Sequence, residues 1–125
     1  MQQTEIFVPK SLAMELRKKG FNEVCIGWYS SNMHNHDSTK PHLEGEFVLN
    51  ESFDNPNSCT APTYDQVVGW FASKGIEIET TACEDKTYSA DIVTCYNWCV
   101  VFESNWVENR QQSLLTAFED ALNLI

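Results

Sequence analysis

The sequence predicts an α+β fold: one four-stranded, mostly antiparallel sheet packed against helices, in the order α-β-β-α-β-β-α. Three observations carry that expectation. Residues 61–75, APTYDQVVGWFASKG, combine the start, stripe and stop signals of a helix. The runs at 24–30, 76–82 and 91–103 alternate with the period of a strand. Both ends of the chain carry amphipathic stretches with helical spacing.

The first helix is expected over residues 9–19. Leu12 and Leu16 form its apolar stripe with Ala13 beside them, and Gly20 follows as a stop. Val8 ahead of Pro9 and Ser11 both fit its cap, and Phe21 is placed to pack back on the helix end. In VCIGWYS (24–30), Val24, Ile26 and Trp28 alternate with Cys25, Gly27 and Tyr29. Both sets are apolar or small, which suits an interior strand. Residues 31–43 read as a polar loop and 44–49 as a second strand. Residues 50–60, NESFDNPNSCT, read as a loop rich in turn formers.

In the central helix, Thr63 and Gln66 have capping-box spacing, and Pro62 keeps Ala61 extended. Val67, Trp70 and Phe71 make one apolar face. Lys74 suits the negative end of the helix dipole, and Gly75 suits the left-handed position after it. Residues 76–82, IEIETTA, then alternate as a strand with Ile76, Ile78, Thr80 and Ala82 on one face, and EDKTYS reads as a turn. The run 91–103 reads as one long strand with Ile92, Thr94, Tyr96, Trp98, Val100 and Phe102 on one face. The last helix spans about 109–124, with Asn109 or Ser104–Asn105 as its cap and Leu114, Leu115, Phe118, Leu122 and Ile125 as its stripe.

A chain of 125 residues is expected to form a single domain with a core of its own. A hydrophobic content of 42% is too high for a disordered chain. The start, MQQTEIFVPK, lacks a basic segment followed by an apolar run, and no stretch approaches the ~20 apolar residues of a membrane span. The expectation is a soluble, cytoplasmic protein without membrane partners. The five scattered cysteines then read as reduced thiols.

The net charge is −10, with residues 1–19 at +2 and the remainder at −12. Such a surface repels a phosphate backbone, so nucleic-acid binding is not expected outside Lys10, Arg17, Lys18 and Lys19.

Three stretches together, GF-x-EVCIGWY at 20–29, APTYDQVVGWF at 61–71 and the closing ALNLI at 121–125, resemble a family of small uncharacterised proteins of anaerobic gut bacteria and their phages and mobile elements. The resemblance covers most of the chain, least so residues 31–60. It implies an accessory role near mobile DNA. It brings no activity, cofactor or catalytic residue to carry over.

Several constellations invite a chemical reading. His34, His36 and His42, with Asp37, hold all the imidazoles of the chain within nine positions. Imidazoles and a carboxylate can bind zinc, but a metal needs ligands held by a second layer of bonds, and this segment reads as a solvated loop. No metal and no cofactor are expected. Cys95 and Cys99 stand roughly 13 Å apart on a strand, too far to share a metal or a disulfide. Glu84-Asp85-Lys86 has the E-x-K form of metal-dependent nucleases, yet it falls in a turn. No nucleophile triad or phosphate loop is present, so no catalytic residue is assigned.

The aromatic face Tyr96, Trp98 and Phe102 is the more informative feature. If helices cover only the other face, this one is covered either by residues 31–60, with Phe47 and Phe53, or by another subunit. The leading expectation is a non-enzymatic protein-interaction module, with homodimerisation through that face. The alternative is an acidic nucleic-acid mimic that occupies the DNA site of a host protein.

Overall fold

The first helix starts after Pro9, which takes the cap position expected for Val8 or Ser11, and its other end follows from local chemistry. In the computed structural model, which describes residues 6–29, 41–43, 47–53, 58–94, 100–103 and 106–125, helix α1 spans Lys10–Lys18 behind Pro9. It ends in a Schellman motif. The amide of Gly20 donates to the carbonyl of Arg17, and that of Phe21 to the carbonyl of Leu16 at 2.9 Å. The motif requires a left-handed residue, and Gly20 supplies it at φ 96°. Phe21 is thereby turned into the interior with Leu12, Ala13 and Leu16.

The chain divides into two compact units, Met1–Thr63 and Tyr64–Ile125. The first holds α1 and a two-stranded antiparallel sheet of β1 (Gly27–Tyr29) and β2 (Cys59–Ala61). Gly27 pairs with Ala61, Trp28 with Thr60 and Tyr29 with Cys59. A 3-10 turn at Asn50–Ser52 precedes β2. The partner of β1 therefore begins inside the stretch 50–60 expected to be a loop and ends at Ala61, which was expected to be extended. Cys59, Thr60 and Ala61 are all buried, and buried backbone groups must be paired.

Residues 44–49, expected as the second strand, contribute a single bridge among the described residues, Cys25 with Val48; a further bridge joins Trp28 to His42. Three steps separate Cys25 from Trp28 and six separate His42 from Val48, so a continuous ladder is impossible. Both edges of β1 are thus taken within the unit, and just beyond β2 Thr63 pairs with Phe7.

The second unit begins with α2 (Tyr64–Ser73), which follows Thr63 directly. It continues with β3 (Ile76–Ala82), β4 (Tyr88–Thr94), β5 (Val100–Glu103) and α3 (Arg110–Leu122). The three strands form an antiparallel sheet in the order β3-β4-β5. The α+β class holds, but the strands form a two-stranded and a three-stranded sheet rather than one of four.

The run 91–103 is also not one strand. β4 ends at Thr94, β5 starts at Val100, and the two pair antiparallel with a register shift at Ile92/Val93. Period-two alternation continues through such a hairpin and so hides it; the warning was the length, since strands usually run ~3–10 residues.

The core of this unit is the side of β3 and β4 that carries Ile76, Ile78, Ala90 and Ile92, with α2 and α3 against it. Val67, Trp70 and Phe71 are buried on α2, and Leu114, Ala117, Phe118 and Leu122 on α3. Phe71 stacks on Phe118 at 5.8 Å and Tyr64 on Phe118 at 6.2 Å. Helix α3 is capped by Asn109, whose side chain accepts from the amides of Gln111 and Gln112. Leu115 is half-buried and Ile125 exposed, so the stripe is narrower than expected. Lys74 lies beyond the end of α2, with Nζ 4.8 Å from the centre of the Trp70 ring.

Candidate interaction surface

Residues 24–29, which lead into and include β1, are apolar on both sides; one side is buried and the other is largely exposed. Cys25, Gly27 and Tyr29 face inward and are buried. The Tyr29 hydroxyl donates to the carbonyl of Val8 at 2.5 Å and the Cys25 thiol to the carbonyl of Glu23, so the polar atoms these side chains bring into the core are satisfied. Gly27 is closely approached: a Cβ there would stand 3.0 Å from Leu43 Cδ2 and 3.3 Å from the carbonyl oxygen of His42, so its neighbours would have to give by a few tenths of an ångström.

The alternate residues face outward. Val24 is 50% exposed and Ile26 46%. Val48 stands opposite Cys25, so Phe47, its neighbour, belongs on the side of Val24 and Ile26, where it is 75% exposed. At the end of this face Trp28 is half-buried. Its ring stacks on the imidazole of His42 at 4.2 Å and lies 5.7 Å from the ring of Phe53. The result is a face of three exposed apolar side chains bordered by a fixed aromatic stack. Single exposed apolar residues are ordinary; several on one face mark an interface.

A polar depression in this unit is spoken for. It has a volume of about 220 Å³ and is lined by Arg17, Phe21, Asn50 and Glu51, among others. The guanidinium of Arg17 donates to the carbonyls of Ser58 and, at 2.8 Å, of Phe53. Asn50 donates to Phe21 and accepts from Thr60. These groups hold the segment before β2 against α1, which is a structural task.

Of the residues singled out by sequence, Tyr96, Trp98, His34 and His36 lie outside the described residues. Phe102 stands in β5 at the position opposite Ile92. His42 is drawn into the stack with Trp28 and into a backbone bridge with it. No group of three metal-ligating side chains gathers among the described residues. Cys25 and Cys59 are buried free thiols and Cys83 is an exposed one; burial pushes the Cys59 thiol up to about 12.

Glu84-Asp85-Lys86 falls between β3 and β4. There the carboxylate of Asp85 accepts from the amide and hydroxyl of Thr87, which holds its pKa below the usual carboxylate value. Lys86 adopts φ 65° to close that turn. Asp85 and Lys86 thus serve the turn. No helix among the described residues is long and apolar enough to cross a membrane.

The outward face of Val24, Ile26 and Phe47 was half legible. The alternation was plain in the sequence, but nothing in it said that one side would stay open. No family model matches the chain, and no curated protein or solved structure is significantly similar to it.

Proposed function

We propose that this protein is a non-enzymatic protein-interaction module that engages its partner through the outward side of the segment 24–28, which leads into β1. The observation that carries the reading is the joint exposure of Val24, Ile26 and Phe47 beside β1, next to the buried Cys25, Gly27 and Tyr29. Burying such side chains against a partner contributes roughly 1.5–3 kcal/mol for each one fully covered, and aromatic residues dominate interfaces. A second copy of the chain is the simplest partner, since symmetric pairs are the commonest assemblies.

The test compares the wild type with an Ile26→Lys/Phe47→Glu variant in light scattering at micromolar concentration and in co-purification from the native host. Both positions are exposed, so thermal melts of the variant should match the wild type. A dimer or a co-purified partner present with the wild type and absent with the variant supports the reading. Identical assembly and identical co-purified proteins for both overturn it.

A second reading is favoured by the charge. Residues 64–125 carry ten acidic against three basic residues, a net −7, while residues 1–63 carry eight against five, a net −3. An acidic unit of this kind suits a mimic that occupies the nucleic-acid site of a host protein. Displacement of bound DNA from a co-purified DNA-binding protein by residues 1–125, weakened by charge reversal in the second unit, tests it.

A further inference from the structure

Strand β3 forms one edge of the three-stranded sheet. Among the described residues it pairs only with β4, over its whole length from Ile76 to Ala82. Its inward residues Ile76 and Ile78 are buried, while Glu79, Thr81 and Ala82 are exposed. An exposed strand edge offers a row of backbone donors and acceptors and is a template for one more strand.

The register gives that edge a charge preference. Glu79 stands directly opposite Asp91, and Asp91 directly opposite Glu103. Glu79 and Asp91 thus meet across the sheet, and like charges directly opposite each other are destabilising. None of the three strands contains a basic residue to offset them. The two cations nearest in sequence to β3 are Lys74, which sits over the Trp70 ring, and Lys86, which sits in the turn.

We propose that the outer edge of β3 receives an extended segment of a partner protein carrying Lys or Arg at alternate positions. Added as a fourth strand, that segment sets one cation opposite Glu79 and the next opposite Glu77, on the same face. Opposite charges across strands attract, and the added cation relieves the repulsion between Glu79 and Asp91. A second copy of this chain does not fit the edge: pairing β3 with itself over its full length sets Glu79 against Glu79. This inference goes beyond the interaction face of 24–28 and lies in the other unit, so variants at one surface leave the other intact.

The probe is a fluorescein-labelled peptide alternating lysine with threonine and valine, followed by anisotropy. Two companions isolate the mechanism: the same peptide N-methylated along one backbone edge, and a version with glutamate in place of lysine. Two cross-strand ion pairs and their backbone bonds should give the lysine peptide at least about tenfold tighter binding than either companion. Amide resonances of residues 76–82 should shift on its addition. A Glu77→Lys/Glu79→Lys variant should lose the lysine peptide and gain the glutamate peptide. Equal binding of the N-methylated peptide reduces the effect to general charge attraction and overturns the proposal. Undiminished binding of the lysine peptide by the double variant overturns it as well.

Discussion

Asn50 and Phe21 are joined across 29 positions of sequence: the Asn50 carboxamide donates to the carbonyl of Phe21 at 2.6 Å in the interior of the first unit. The same side chain accepts from the amide of Thr60 at 2.9 Å. One buried amide therefore ties the end of α1 to β2. An Asn50→Ala variant leaves a buried carbonyl and a buried amide without their partner, each costing roughly 1–3 kcal/mol. Urea melts should show a loss of about 2–6 kcal/mol with an unchanged slope. A loss under about 0.5 kcal/mol would show that water replaces the side chain at little cost.

The central helix is held by aromatic burial. Phe71 is fully buried and stacked on Phe118, and Trp70 packs edge-on against Phe71 at 5.1 Å. Phe71→Ala is expected to cost about 3–5 kcal/mol and Trp70→Ala a similar amount. Equilibrium denaturation decides this, and losses below about 1 kcal/mol at both sites would assign the wrong face to α2.

Cys59 should be chemically silent and should make the protein sensitive to alkali. Its thiol is raised from 9.0 to about 12 by burial, against the lowering influence of Lys10 and Arg17. A raised value means that the neutral thiol contributes its full share of stability below pH 9, where the unfolded chain is also protonated. That share is lost as pH rises from 9 toward 12. Alkylation at pH 8 with mass mapping should find Cys83 modified and Cys59 protected. A Cys59→Ala variant should show a shallower fall in melting temperature across that alkaline window.

Asp85 provides a local reporter with the opposite sign. Its carboxylate, bonded to Thr87 through both the amide and the hydroxyl, titrates below the ordinary value of 3.8. Its contribution to the β3–β4 turn is complete above that value and disappears as pH falls through the lowered one. In an NMR titration, Thr87→Val should move the Asp85 midpoint up toward 3.8. An unchanged midpoint would assign the shift to something other than the hydroxyl bond.

What the sequence determined by itself was whatever is encoded within a few neighbouring residues. The Schellman end at Gly20 and Phe21, the stripe of Val67, Trp70 and Phe71, and the strand Ile76–Ala82 are all set by local sterics, local hydrogen bonds and side-chain period, whereas the cap of the last helix fitted either Asn109 or Ser104–Asn105. The tertiary structure decided which strands meet. Cys59–Ala61 became the partner of β1 because their buried backbone needed pairing there, although the residues before them are turn formers. The run 91–103 became two strands because a ladder between Ile92 and Phe102 satisfies backbone groups that one long strand would leave to other neighbours. The open side of Val24 and Ile26 was settled in the same way. Alternation assigns residues to two faces, but only the packing of α1 and β2 determines which of the two is covered.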